Sequence, residues 1–475
     1  MTSLDFIIIF IYFAVLVTVG IIGSMKAKTS ELYILAGRNL GVFMLFGCLT
    51  AVFLGGSSTI GSAQLGYETG FSGVWFVFSM GLGISLFGIL LLNRITGYKL
   101  MTISELLGKL FNVESKIIGT VVAAIYALMV SVTQVIAIGS LLSVIFDWSL
   151  GLSVLVGGGI VFFYTILGGM WSVSMTDIIQ FVIMTLGIFL IMLPISLSKV
   201  GGFEELTAQL PNSYFNFTSI GFKEIIQYLL TYTLGMMVGQ DIWQRYFTSK
   251  SLKVSRISGS LVLVYSFVYS LAMIIIGMCA LVLLPNIANT QNVFASMAFE
   301  TIPSGLLGIV FAAVAAAIMS TASGTLLASS TLISKDILKD HFFKNITDSQ
   351  FLLLSRITTL IIGIIAIVIS LWIEELLVAI DVAYAILAGA IFIPILFGLL
   401  WKRATAKAAF YGITISTVVV LGGLAIEGLS SSNPILYGIV TNCIVMIVVS
   451  LFDRPSKDTE QLSEANGTFG RGFIK

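Results

Sequence analysis

Apolar runs of about twenty residues recur along the whole chain, and a helix needs about that many to cross the hydrocarbon of a bilayer. Thirteen stretches qualify, at roughly 4–24, 40–69, 73–93, 116–145, 149–168, 172–197, 223–247, 257–285, 303–334, 350–373, 375–400, 405–427 and 434–452. Of 475 residues 58% are hydrophobic and 10% are charged. So few charges cannot cover a water-soluble protein of this length. The expected fold is therefore an all-α membrane protein, with one transmembrane domain over residues 1–452 and a polar tail, 453–475, whose Ser, Asp, Glu and Gly content predicts disorder. Met1–Ser24 carries Asp5 and no basic n-region, so it reads as a retained span.

Basic residues set the direction. With the N-terminus outside and the C-terminus inside, 22 of the 24 lysines and arginines fall in inner loops or the tail, and Lys199 and Lys223 alone lie outside. That is the asymmetry of the positive-inside rule, and it predicts a multi-pass protein of the cytoplasmic membrane. Residues 101–112 (MTISELLGKLFN) read as a short amphipathic helix along the inner interface. A net charge of +1 gives nucleic acid no basic face to bind. Cys48, Cys279 and Cys443 all sit in apolar segments and suggest packing, with no disulfide framework or thiolate metal site.

Two spans are interrupted. The second carries Gly55-Gly56-Ser57-Ser58, and the seventh carries Gly235 followed by Gly239-Gln240-Asp241. An offset of five spans inverts the second segment relative to the first. Paired broken helices in inverted halves point to the midplane site of a secondary transporter, although glycine is also common wherever membrane helices pack closely.

Oxygen-bearing side chains inside apolar helices mark functional sites. In the ninth span Ala317, Ser320, Thr321 and Gly324 are spaced three and four apart and share one helix face. Hydroxyls there, with carbonyls freed at Ala51 and Leu54 by the break, would suit a hard monovalent cation; the bland reading is close helix packing. Asp177 lies just inside the inner end of the sixth span, at the depth of Ser323 in the ninth, and would need a cation, a proton or a basic partner. It is a candidate second ion site or exit path. Asp381 shares its surroundings in type with the aromatics Phe53, Trp243 and Tyr384, a combination that holds organic ammonium groups; the alternative is a hydrated carboxylate near the headgroups, with Trp243 and Tyr384 as core or interface aromatics. Asp241 and Arg245, four apart, read as a helix-surface pair with a snorkelling arginine. Solute would bind near the breaks, where Ser57, Ser58 and Gln240 stand.

Taken together the segments LAGRNLGVFM (35–44), GGSSTIGSAQLGY (55–67), ILGGMWSVSMTDIIQF (166–181), GQDIWQRYF (239–247), AAAIMSTASGTLLASSTLISKDI (315–337) and FGLLWKRAT (397–405) resemble the sodium:solute symporter family over nearly the whole chain. The family includes sodium-coupled proline, pantothenate, sialic acid, sugar and choline carriers. The resemblance implies a LeuT-like core of ten helices in an inverted five-plus-five repeat (about 40–197 and 223–400), one helix before it and two after. It implies Na+ held by Ala51, Leu54, Ala317, Ser320 and Thr321. Members that use a second sodium place a carboxylate where Asp177 stands, with hydroxyls further along the ninth span. Ser323 fits that pattern, but Gly324 stands where a serine is wanted.

Segments 243–247 and 381–384 look like those of choline carriers, whereas Phe53 replaces the tryptophan those carriers show. The resemblance thus implies symport of an amine, quaternary ammonium or amino acid, with a carboxylate, vitamin or sugar as the alternative. A passive channel would want a ring of repeated filter residues. An enzyme would want metal-ligand spacing, an activated nucleophile or paired catalytic carboxylates, none of which the sequence offers.

Overall fold

The structure, a computed structural model, describes residues 1–26, 38–95 and 100–453. Lys28, Lys99 and the tail from residue 454, including its expected disorder, lie outside the described residues. Among the described residues the chain is helical, with no strand and one isolated bridge between Leu40 and Ser249.

Nine helices among the described residues are long and apolar enough to cross a membrane: Ser57–Ile95, Val113–Phe146, Met170–Val200, Leu252–Leu283, Leu306–Phe342, Asp348–Ser370, Leu376–Leu400, Ala406–Glu427 and Asn433–Phe452. Ser3–Lys26 is a further helix of 24 residues, Leu150–Leu186 is a continuous helix of 37 residues that includes the start of Met170–Val200, and Val42–Phe53 is a shorter apolar helix of 12. Some of the thirteen expected segments are divided differently in the structure, for a physical reason. The run Ser57–Ile95 turns at Gly70, whose φ of +62° is open to glycine and strained for other residues, so it holds two of the expected segments. The stretch 223–247 is cut into short helical pieces, none of which has the length of a span.

Burial sorts the helices into an inner and an outer set. In their most apolar stretches Val113–Phe146, Leu306–Phe342 and Leu376–Leu400 are mostly buried, whereas those of Asp348–Ser370, Ala406–Glu427 and Asn433–Phe452 are buried for a third or less. The outer set shows bulky apolar side chains such as Leu353, Val368, Val418 and Ile444 to the surroundings. In water such a surface would aggregate; in lipid it is the solvent-matched face, and helices satisfy their backbone groups internally as lipid demands.

Inner helices approach closely through small residues. A side chain on Gly277 would collide with the backbone of Ala63 and Tyr67, and one on Gly66 with that of Ile274, so Leu252–Leu283 rests directly on the helix that follows the first break. Buried Asp5 accepts the N–H groups of Gly305 and Gly308, both at 2.8 Å, at the start of Leu306–Thr331. A carboxylate at a helix N-terminus meets the positive end of the dipole, so the first helix anchors the one that carries Ser320 and Thr321.

The segment expected to be amphipathic is helical over Ile103–Leu110, started by a capping box of Thr102 and Glu105. Its apolar side is covered by protein, Leu107 meeting Gly119, and is not left for lipid. Glu105 pairs with Lys335 on the C-terminal extension of the long ninth-span helix.

Candidate functional site

The first break follows from its glycines. Val42–Phe53 stops at Leu54 (φ −84°, ψ 57°), and helix resumes in a wide π turn over Ser57–Gly61. A Cβ at Gly55 would stand 2.6 Å from Gln134 Oε1 and 2.8 Å from Thr321 Cβ. Only glycine admits this contact, and stopping the helix deprives the last-turn carbonyls of their usual N–H partners. Ala51 O receives the Ser320 hydroxyl at 2.8 Å and the Thr321 hydroxyl at 3.4 Å; the same hydroxyls reach Ala317 O at 2.9 and 3.3 Å. Four oxygens of the expected ion set, from Ala51, Ala317, Ser320 and Thr321, thus converge in a buried place, and Leu54 occupies the break beside them. They offer a small cation neutral oxygens and no net charge.

The second break lies at Val238 and Gly239, between Leu234–Met237 and Gln240–Phe247, preceded by a π turn at Leu229–Thr233. Its N-terminal flank forms a tyrosine cluster. The Tyr232 hydroxyl donates to half-buried Asp381. The ring of Tyr384 packs 5.3 Å from that of Tyr232 and 5.2 Å from that of Tyr126, and it lies where a side chain on Gly235 would be. Tyr126 donates toward Tyr384 Oη at 3.2 Å and Asp241 Oδ1 at 3.1 Å. Half-buried Asp381 and buried Asp241 are therefore joined through three tyrosines. Phe76, 4.8 Å from Tyr232, continues the wall toward Met80 and the first break, where Ser58 donates to Phe53 O at 2.6 Å.

Not every expected solute residue joins this cluster. Gln240 turns away and grips the segment before Ile103–Leu110, accepting from Ile103 N at 2.7 Å and donating to Met101 O at 3.2 Å. Trp243 is fully buried; its indole N–H closes on Met237 O at 2.9 Å and its ring stacks on Phe87 at 4.8 Å. It consolidates the second break. Phe53, Ser57 and Ser58 sit at the first break, and Asp381 and Tyr384 sit against the second.

The pairing of Asp241 with Arg245 is corrected. Arg245 is fully buried and does not snorkel. It donates to the carbonyl of Asp241 at 3.2 Å, to Cys48 O at 3.1 Å, and to Asp177 Oδ2 at 2.9 and 3.3 Å. A buried carboxylate needs a counter-charge, and of the partners open to Asp177 the structure supplies the basic one. Ser323 donates to Ser320 O, 3.1 Å away in its own helix.

Four participants escaped sequence reasoning: Gln134, Tyr126, Tyr232 and Arg245 as a core residue. Gln134 accepts from Gly56 N at 2.8 Å, which fixes its amide so that Nε2 is left buried without a partner. Gln134 and Tyr126 are polar groups eight residues apart within an apolar helix, a spacing that keeps them on neighbouring faces and was a usable signal.

Residues 33–416 match the sequence profile of the sodium:solute symporter family. A sodium/proline symporter of Staphylococcus aureus (strain JH9) is 27% identical over 477 residues, spanning 94% of this chain and 91% of that protein. Among solved structures, a Na+-coupled sialic acid symporter in a substrate-bound outward-open state superposes with a TM-score of 0.83 at 19% identity, over 96% of this chain and 99% of that one. Mhp1, a nucleobase-cation-symport-1 family transporter in a closed conformation, gives 0.58 at 16% identity, over 91% and 98%. These likenesses establish a LeuT-like transporter fold. The chain belongs to the sodium:solute symporter family, as a multi-pass membrane transporter that couples solute movement to sodium and performs no enzymatic reaction.

Proposed function

We propose that this symporter carries a small zwitterionic amino acid, of the proline type, into the cell across the cytoplasmic membrane, with the N-terminus outside. Sodium would be held by Ala51, Leu54, Ala317, Ser320 and Thr321, and solute beside it between the two breaks. One observation carries the substrate reading: opposite chemistry stands at the two breaks. At the first, Gln134 Nε2 is an unpartnered buried donor next to the half-helix that restarts at Ser57. Donors and the start of a helix favour a carboxylate. At the second, Asp381 and the rings of Tyr232 and Tyr384 favour an ammonium. A quaternary amine without a carboxylate would leave Gln134 Nε2 unsatisfied, at a cost of about 1–3 kcal/mol, and a neutral sugar would leave Asp381 without a counter-charge. The sodium/proline symporter relative supports the same class.

The test is uptake by purified protein in liposomes, using labelled proline, choline and glucose, with and without an inward sodium gradient. Proline should accumulate above its external concentration only with the gradient. Concentrative choline uptake with no proline uptake would overturn the zwitterion reading. Gln134→Glu keeps the acceptor for Gly56 N and deletes the free donor. It should weaken proline by about tenfold or more and leave inhibition by simple amines unchanged.

A further inference from the structure

Pro394 stands inside the helix Leu376–Leu400, which also carries Asp381 and Tyr384. A proline has no N–H, so the carbonyl four residues earlier, Ala390 O, has no partner within the helix. Away from water such a carbonyl needs another donor. Asn442, in Asn433–Phe452, supplies it: Nδ2 donates to Ala390 O at 2.8 Å and to Gly389 O at 3.2 Å. The same nitrogen meets Ser416 Oγ, 3.1 Å away in Ala406–Glu427. The two carbonyls settle which end of the amide faces Leu376–Leu400, because only the nitrogen can donate to them.

Glycines make room for this side chain. A Cβ on Gly438, one turn before Asn442, would lie 3.1 Å from Gly389 Cα, and one on Gly412 would lie 2.7 Å from Asn442 Oδ1. Asn442 is fully buried in a helix that otherwise turns bulky apolar groups such as Ile444 outward, and its Oδ1 has no partner. An amide with one end unsatisfied is a costly way to fill space that a leucine could fill. The freed carbonyl accounts for it.

Ala390 lies six residues after Tyr384 and nine after Asp381. The carboxylate therefore stands about 14 Å along the helix from the turn that lacks its own bond. A tilt of about 10° at that turn would carry Asp381 about 2 Å, enough to break the hydrogen bond it accepts from Tyr232. Tyr384 would shift with it, out of its ring contact with Tyr126.

We propose that Asn442 is a positioning residue for the solute site: its amide replaces the N–H that Pro394 lacks, so a helix outside the two broken spans sets where Asp381 and Tyr384 stand. The inference rests on the proposed reading of those two residues as solute contacts. Ala51, Ser320 and Thr321 lie on other helices, so sodium binding without solute should not depend on Asn442.

Asn442→Leu keeps the volume and removes the donor. In liposomes it should raise half-saturating proline about tenfold, while the sodium concentration that gives half of the thermal stabilisation without solute stays the same. Pro394→Ala returns an N–H to the helix for Ala390 O, so in that background Asn442→Leu should change half-saturation by less than about twofold. Rescue of the solute with sodium unchanged throughout separates positioning from general stability. Effects that multiply, or sodium and solute weakened together, would overturn the proposal. If Asn442→Leu alone gives no folded carrier, a folded double variant supports the proposal, and an unfolded one beside folded Pro394→Ala overturns it. If the unaltered chain takes up no proline, the solute reading fails by itself and hydrogen exchange decides the positioning. Amides of residues 376–390 should then exchange about tenfold faster in Asn442→Leu, with those of Leu306–Thr331 unchanged, and return to the original rate in the double variant; uniform or absent acceleration would overturn it.

Discussion

Removing the Ser320 hydroxyl should weaken sodium without weakening the solute site itself. In the structure this hydroxyl is 2.8 Å from Ala51 O and 2.9 Å from Ala317 O, the shortest contacts within the oxygen cluster. Ser320→Ala would delete one of the five proposed neutral ligands and leave the three backbone oxygens, of Ala51, Leu54 and Ala317, in place. A neutral group facing a charge contributes about 1.5–3 kcal/mol, which converts to a rise of roughly 10- to 150-fold in the sodium dissociation constant. Sodium-dependent thermal stabilisation gives the same number without transport. At a concentration 100 times the unaltered Kd, sodium stabilises the folded protein by about 2.7 kcal/mol. A tenfold weaker variant at that concentration keeps about 1.4 kcal/mol, and a hundredfold weaker one about 0.4 kcal/mol. Because coupling is reciprocal, solute affinity should fall at low sodium and recover at saturating sodium. Ser329→Ala is the control: its hydroxyl is buried on the same helix but donates to Ala124 O at 3.2 Å, away from the cluster. Sodium stabilisation that is unchanged in Ser320→Ala, or equally reduced in Ser329→Ala, would refute the assignment.

Two further substitutions test the solute end and the hinge between the sites. Asp381→Asn should raise the half-saturating concentration for ammonium-bearing solutes by tenfold or more, since loss of one partner of a desolvated charge pair costs about 2–5 kcal/mol; competition by neutral analogues should not change, and an equal loss for both would remove Asp381 from recognition. Gly55→Ala places a methyl against Thr321 and Gln134 at once, so sodium and solute half-saturation should rise together, with overpacking of about 1–3 kcal/mol lowering thermal stability; a rise in one alone would separate the sites.

Much of the site could be read from sequence where one residue type has one physical use. Gly55-Gly56 inside an apolar run predicts a break because glycine tolerates the conformation and the close approach, and both are observed. Ser320 and Thr321 share a face with Ala317 by helical spacing, and the hydroxyls do face Ala51. The arginine was misread because local spacing favoured the wrong carboxylate. Asp241 lies four residues from Arg245, the separation at which helical pairs meet, whereas Asp177 is 68 residues away. The break at Gly239 decides the outcome. It starts a new helix at Gln240, so the Arg245 side chain turns into the bundle while the Asp241 carboxylate turns to Tyr126. Gln240 and Trp243 were misplaced for the same reason. Their chemistry suits a solute, but the new helix aims one at the backbone near Ile103 and the other at Met237 O. Orientation after a break depends on tertiary packing, which spacing rules do not carry.

The position of Gly55 gives coupling a structural basis. Coupling requires that each ligand favour the arrangement the other binds. In the proposed reading Thr321 belongs to the ion set and Gln134 to the solute set, and both side chains crowd the same unwound glycine. A cation drawing Ala51 O and Thr321 Oγ1 toward itself would fix the backbone at residues 51–55, and with it the Gly56 N–H that orients the Gln134 amide. Without that cation the Thr321 hydroxyl would be held by carbonyls alone. The side chain at one site does not need to touch the ligand at the other, because a shared segment with no helix of its own to stabilise it carries the information in both directions. A continuous helix through residues 51–57 would hold that backbone by its own hydrogen bonds whether or not either ligand was bound, and would leave the two sites independent.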